Sequence, residues 1–270
     1  MSSKLRYEYV KTRDVPGGLL MVAKEGEKPF MPTMRECNSI PLHYSDRVID
    51  IGAYMGQYSI RCARFPVERV IAYEPTPLSY EVLTKTKLPN FNPINAAIVG
   101  NDEKNTVLHI SSGFGVTNST TLSNGTARSI MVPAINYFDA IKDATIVKID
   151  VEGGEYSFHI EDNFPDSLRG LIIDFHPVTN YNWLKKAKEI IIEIEKNGFQ
   201  PVISPDWSSG WTRAGSWIRD RDLPDTTNPM LEGKICCGCG KIIDSCGKSL
   251  CIDCWNRWSI RHRRGYKLAR

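Results

Sequence analysis

Short apolar runs separated by polar punctuation set the rhythm of this chain. Residues 47–51 (RVIDI), 69–73 (RVIAY), 94–99 (INAAIV), 145–151 (TIVKIDV), 170–175 (GLIIDF) and 199–203 (FQPVI) are short and apolar, as buried strands are. Between several of them, residues 57–64, 77–86 and 183–197 read as helices. The last of these, WLKKAKEIIIEIEKN, stops at Gly198, a residue suited to the left-handed position after a helix. Strands alternating with helices predict a mostly parallel, doubly wound α/β sheet. GSWIRD (215–220) follows the last run without a helix-length connection, which predicts an antiparallel neighbour. Ahead of this region, YEYV (7–10) and LLMV (19–22) flank a segment containing Pro16-Gly17-Gly18 and predict an N-terminal hairpin.

VIDIGAYMG (48–56) places Asp50, Gly52 and Gly56 where a first strand turns into a first helix. Glycines there let the backbone approach a ligand, and the helix start offers free N–H groups. The second strand ends in IAYEP (71–75), so Glu74 stands at its carboxyl end, 22 residues after Gly52. An acid at that place accepts hydrogen bonds from the ribose hydroxyls of an adenosine cofactor. The glycine spacing is G-x-x-x-G, without the central glycine of a dinucleotide loop, which favours S-adenosylmethionine over NAD.

VIDIGAYMGQYSI, IAYEPTPLSYEVL, NAAIVG, NSTTL, VKIDVEGGEY and LIIDFHP stand in the order seen in FkbM-like methyltransferases, which the chain resembles over roughly residues 45–220. The family commonly carries Asn at the place of Tyr54 and Ala at the place of Gly154. The resemblance implies the Rossmann-like fold of S-adenosylmethionine-dependent methyltransferases and an activity generally associated with O-methylation. It also implies a cofactor site lined by Asp50, Gly52, Ala53 and Gly56, with Glu74 on the ribose and Asn95 and Ala96 near the adenine. The segment NSTTLSNG (118–125) would help shape the acceptor pocket. Its two glycosylation-type sequons, at Asn118 and Asn124, have no such meaning in a cytoplasmic protein.

IVKIDVEGGEY (146–156) puts Lys148, Asp150 and Glu152 on alternate positions, hence on one face of a strand otherwise suited to burial. In an open α/β sheet, ligands sit beyond the carboxyl ends of strands where the strand order reverses. These charges are therefore expected at the mouth of an active site, with Gly153 and Gly154 relieving crowding before the next helix. A structural salt bridge from Lys148 to one of the acids is the alternative. IIDFHP (172–177) ends the neighbouring strand in His176, a residue that titrates near neutrality and suits a general base for methyl transfer to a hydroxyl. Asp150 and Glu152 could instead hold a divalent metal, since hard cations prefer oxygen ligands.

Cysteines and charge change the picture at the far end. Six of the eight cysteines lie between 236 and 254, within CCGCGKIIDSCGKSLCIDCW. Cys236-x-x-Cys239 and Cys251-x-x-Cys254 are separated by 11 residues, a pattern suited to structural tetrahedral zinc. Disulfides are the rival, and Cys237 and Cys246 are spare thiols or replacement ligands. Residues 234–270 hold nine of the 34 Lys and Arg but two of the 31 Asp and Glu, leaving 25 bases and 29 acids before them. A basic tail, WNRWSIRHRRGYKLAR, thus follows a slightly acidic body. Its arginines and aromatics over 257–270 can contact the phosphates and bases of RNA or DNA. The expected organisation is a hairpin extension over 1–45, a methyltransferase domain over 46–222 and a linker over 223–234. A zinc module over 235–255 and a basic tail over 256–270 complete it.

No apolar run approaches the roughly 20 residues of a membrane span, and residues 1–14 lack the apolar stretch of a signal peptide, so a cytoplasmic protein is expected. Two functions fit. One is a methyltransferase acting on a hydroxyl of a nucleic acid, saccharide or small molecule. The other is a methyltransferase fold serving as a non-catalytic nucleic-acid-binding or assembly protein. Asp50, Glu74, Asp150, Glu152 and His176 together favour the enzyme.

Overall fold

The structure, a computed structural model of the chain, describes residues 7–12, 19–24, 37, 39–111, 118–120, 126–160, 164–178, 182–208, 213–219, 234–235 and 242–243. The chain opens with the expected antiparallel hairpin, β1 (Tyr7–Thr12) and β2 (Leu19–Lys24). Strand and helix then alternate: β3 (Arg47–Ile51), α1 (Gln57–Ala63), β4 (Arg69–Tyr73), α2 (Pro77–Thr84) and β5 (Phe91–Ile94). Next come β6 (Ala97–Val99), β7 (Asn105–Ser111), β8 (Thr126–Asn136) and the short α3 (Tyr137–Ile141). The domain closes with β9 (Ile146–Ile149), β10 (Gly170–Asp174), α4 (Trp183–Lys196), β11 (Phe199–Ile203) and β12 (Ala214–Arg219).

Seven of these strands form one sheet in the order β11-β12-β10-β9-β3-β4-β5. The pairs from β10 through β9, β3 and β4 to β5 are parallel, while β12 runs antiparallel to both β10 and β11, as GSWIRD predicted. Because strand residues alternate in direction, Ile49, Ile51, Val147, Ile149, Leu171 and Ile173 share one face with side chains of α3 and α4. The alternate residues Val48, Val70, Ile146 and Ile172 meet Tyr58, Cys62 and Ala63 of α1 on the other. Helices cover both faces, which makes the sheet doubly wound. Each fully buried aliphatic side chain here contributes roughly 1.5–3 kcal/mol.

Strand order reverses between β3 and β9, so the segments that follow those two strands leave toward opposite faces and frame a crevice beyond the carboxyl ends. At the opposite, amino end, Arg169 clamps Asp46: its Nε donates to Oδ1 at 2.9 Å and its Nη2 to Oδ2 at 2.6 Å. Thr145 Oγ1 and the His43 N–H also donate to Asp46. This buried pair ties the start of β3 to the entries of β9 and β10.

Several expectations are corrected. INAAIV is not one strand: the chain leaves the large sheet after Ile94 and re-enters a separate sheet at Ala97. No helix follows Gly154, where a 3₁₀ turn over Gly154–Ser157 suffices. β6, β8 and β7 form a second, three-stranded sheet that the apolar pattern did not announce. The hairpin is more than an extension, because Met21 is fully buried among Ala53, Met55, Ile60, Val82 and Leu83. It therefore braces the loop after β3. Near the C-terminus, Lys234–Ile235 (β13) pairs antiparallel with Ile242–Ile243 (β14), while Cys236, Cys239, Cys251 and Cys254 lie outside the described residues, as do residues 257–270. No helix among the described residues is long and apolar enough to cross a membrane.

Candidate functional site

Two clusters flank the crevice. The first grows from the turn after β3. Gly52 adopts φ +77°, and a Cβ there would fall 1.8 Å from the carbonyl oxygen of Asp150. Only glycine lets β3 and β9 approach this closely, so the crevice begins at a position no side chain can occupy. The N–H groups of Gly52 and Ala53 both donate to Tyr73 O, and Gly56, at φ +88°, starts α1. Glu74, just past β4, is buried, and its carboxylate holds the loop: Tyr54 N donates to Oε2 and Thr76 N to Oε1, each at 2.7 Å. Burial pushes the Glu74 carboxyl up to about 7, against the opposing pull of the Thr76 and Tyr54 hydrogen bonds. Asn95 donates through Nδ2 to the carbonyls of Glu74 and Pro75, fixing the backbone that presents this carboxylate, and Ala96 is buried beside it.

The second cluster answers why β9 carries charge. Asp50 and Lys148 are register partners on adjacent strands, so their side chains meet on the same face. Lys148 Nζ lies 3.2 Å from Asp50 Oδ1 and 3.3 Å from Asp150 Oδ2. Both Asp50 and Lys148 are buried, so part of the charged face belongs to the interior and only Asp150 and Glu152 reach the mouth. The salt-bridge alternative for Lys148 thus holds for two acids at once. Burial works against the ammonium, but the carboxylates of Asp150 and Asp50 outweigh it and raise the Lys148 pKa. Asp50 is pushed up by burial, with Lys148 pulling back, whereas for Asp150 the charges of Lys148 and His176 overcome burial and hold it low.

His176 sits just past β10 and gathers carboxylates. Its Nε2 lies 3.7 Å from Asp150 Oδ1 and 3.6 Å from Glu152 Oε1. On the other side, Nδ1 is 3.4 Å from Glu155 Oε1, within ion-pair reach but off the hydrogen-bond direction. Burial opposes the imidazolium, yet Glu155, then Glu152 and Asp150, raise its pKa well above the ordinary histidine value. His176 therefore does not titrate near neutrality here. Glu152 does: burial pushes it up to about 7, partly offset by His176. It also stands in the left-handed region, at φ +54°, followed by Gly153 at φ +102°. Such a conformation is costly for a non-glycine residue, and here it accompanies a carboxylate within 3.6 Å of His176 Nε2.

Two participants, Glu155 and Asp174, were not singled out from sequence. Glu155 is fully buried and accepts the N–H groups of Gly153 at 2.9 Å and His176 at 2.7 Å, tying the 3₁₀ turn to the end of β10. Asp174, two residues before His176, groups with Asp150 and His176 so that one ligating atom of each lies within 4.8 Å of the others. The segment 118–120 links the clusters: Asn118 Nδ2 donates to Thr76 Oγ1 at 3.0 Å, and Ser119 Oγ to Glu152 O at 2.8 Å. Asp174 carried a readable signal, since alternation puts it on the face of His176. Glu155 did not, because its role depends on a turn that folds it beneath the histidine.

A mostly parallel doubly wound sheet, a glycine turn after its first strand, an acid after its second and charged side chains at the fourth and fifth define a methyltransferase class. Residues 50–201 match the methyltransferase FkbM domain, and the chain belongs to that family. Among solved structures it is similar to TYW2 of M. jannaschii in complex with AdoMet, at 16% identity over 81% of this chain and 89% of that one, with a TM-score of 0.45. It is also similar to an rRNA methylase of Streptococcus thermophilus (10%, covering 68% and 92%, TM-score 0.40). A precorrin-6y C5,15-methyltransferase of Geobacter metallireducens is a third (14%, covering 68% and 82%, TM-score 0.36). No curated protein matches the chain.

Proposed function

We propose that the protein transfers a methyl group from S-adenosylmethionine to a hydroxyl, with the donor at the β3–β4 cluster and the acceptor at the β9–β10 cluster. The single observation that carries this reading is Glu74. It is a buried carboxylate at the carboxyl end of β4, with two of its roughly four acceptor positions taken by backbone N–H groups and another engaged by the Thr76 side chain, which leaves room for a ribose hydroxyl. Asp50, Gly52, Ala53 and Gly56 line the donor's loop, and Asn95 and Ala96 border its adenine. S-adenosylmethionine, when bound, supplies an electrophilic methyl group whose S–C bond breaks as the new C–O bond forms.

The protein's own contribution at the acceptor is orientation and proton removal. Asp150 and Lys148 fix the crevice floor. His176, held cationic among Glu155, Glu152 and Asp150, is a weaker candidate for the base than its residue type suggested. Glu152 replaces it: a carboxyl pushed up to about 7 is matched to accepting a hydroxyl proton near neutral pH. His176 then positions Glu152 and Asp150.

Beyond the domain, Cys236, Cys239, Cys251 and Cys254 hold one structural zinc ion, and residues 257–270 guide a polyanionic acceptor, RNA or DNA, to the body. The pairing of β13 with β14 supports this, because it brings together the flanks of residues 236–241, where the first two cysteines stand. Incubation with labelled S-adenosylmethionine and separate pools of RNA, DNA and saccharides tests the reading. Label should enter a nucleic-acid pool and be lost with Asp150→Asn and Glu152→Gln. Label entering saccharides alone would remove the tail from the account, and no transfer to any pool would count against the enzyme. Metal analysis of the purified full chain should find one zinc per molecule.

A further inference from the structure

We propose that Asp150, Asp174 and His176 form a binding site for one divalent cation, Mg²⁺ or Mn²⁺, at the carboxyl ends of β9 and β10. The three come from different points of two adjacent strands, and one ligating atom of each lies within 4.8 Å of the others. Ligands about a cation at roughly 2.1–2.2 Å stand roughly 3–4 Å apart. His176 Nε2 and Asp150 Oδ1, at 3.7 Å, already meet that spacing. Side-chain rotation closes the rest.

What separates this trio from a chance gathering of acids is how each member is held from outside. Lys148 Nζ, itself buried, takes Asp150 Oδ2 at 3.3 Å, which turns Oδ1 toward His176. The Arg213 N–H donates to Asp174 Oδ1 at 3.3 Å. Glu155, fully buried, accepts the His176 backbone N–H and lies within ion-pair reach of Nδ1 at 3.4 Å, while Nε2 is on the side of Asp150. A carboxylate behind the far nitrogen of an imidazole and anchors on each carboxylate are the outer contacts that metal ligands characteristically have. The charge balance points the same way. Among the described residues, Asp50, Asp150, Glu152, Glu155 and Asp174 are five carboxylates whose ion pairs run to two cationic side chains, Lys148 and His176. A divalent cation, taking the place of the proton on Nε2, offsets part of that excess. Two carboxylates with one imidazole suit the harder divalent ions, whereas the thiols of residues 236–254 suit zinc.

The sequence pattern alone had suggested Asp150 and Glu152 as metal ligands. Here Glu152 stays outside the trio, in reach of His176 as proton acceptor. The role in catalysis rests on the proposed transfer: a cation holding the acceptor oxygen makes its proton easier to lose to Glu152. The binding itself does not depend on it. Mn²⁺ titrated into the full chain and followed by the electron paramagnetic resonance of the free ion should show one site per chain. Asp174→Asn and His176→Gln should each weaken it tenfold or more, while Glu152→Gln changes it less than threefold. Affinity unchanged in both Asp174→Asn and His176→Gln, or no Mn²⁺ bound by the wild type at millimolar concentration, would overturn the site. S-adenosylmethionine binding measured on the same samples should survive Asp174→Asn. A wild type that binds Mn²⁺ but no S-adenosylmethionine would uphold the cation site and defeat the donor site.

Discussion

The two ends of the central sheet handle charge in opposite ways. At the amino end, Asp46 and Arg169 are buried and joined by two hydrogen bonds, with Thr145 and His43 supplying further donors to the carboxylate. At the carboxyl end, acids outnumber bases, pKa values spread apart, and Glu152 is held in the left-handed region. The first arrangement matches one acid to one base without a ligand, although Arg169 Nη1 has no hydrogen-bond partner among the described residues. The second does not, and groups left mismatched within one site are the mark of chemistry rather than of support.

Breaking the matched pair should cost most. Asp46→Ala leaves the Arg169 guanidinium buried without its partner, and the loss should be about 3–5 kcal/mol, read as a lowered urea midpoint. A change below about 1 kcal/mol would mean that water or neighbours replace the carboxylate and that the contrast between the ends is overstated.

Next in size is a pH effect at Glu74. Its folded pKa, about 7, lies above the 4.5 of the unfolded chain, so the folded state keeps a proton that the unfolded state releases. Stability should be greatest below about 4.5 from this group, fall as pH rises toward 7 and level off above, by up to about 3 kcal/mol. Melting temperatures of wild type and Glu74→Gln between pH 5 and 8 check this: the variant should lack this component of the decline. Parallel curves would show that the hydrogen bonds from Tyr54 and Thr76 hold the carboxyl ionised.

The smallest effect is expected at the overcharged end. Without divalent ions, Asp174→Asn removes one of several crowded acids and should leave stability within about 1 kcal/mol of the wild type, or above it. A loss as large as that of Asp46→Ala would make Asp174 a structural residue.

Much of this contrast was legible in the chain. The alternation of β-branched runs and helical segments announced the sheet, Gly198 marked the end of α4 with φ +79°, and Glu74 could be placed at a strand end by counting. The face shared by Lys148, Asp150 and Glu152 was visible too. What it touched was not, because the pairing of Lys148 with Asp50 is a register between strands about a hundred residues apart in sequence. The β6–β8–β7 sheet escaped notice for another reason. β8 leaves Arg128, Ser129 and Met131 exposed, and β7 exposes Asn105 and Val107 and fully buries only Leu108, so neither carries a strong apolar stripe. The behaviour of His176 was missed because its residue type suggests one pKa and three neighbouring carboxylates impose another.

The proposed donor site holds S-adenosylmethionine at the carboxyl end of the sheet through Glu74. Calorimetric titration of S-adenosylmethionine into the full chain and into Glu74→Ala at pH 8 tests it most directly. One molecule should bind per wild-type chain, and the variant should bind tenfold or more weakly, about the strength of a charge-assisted hydrogen bond. Equal affinity in the two proteins, or no binding to the wild type, would contradict the account.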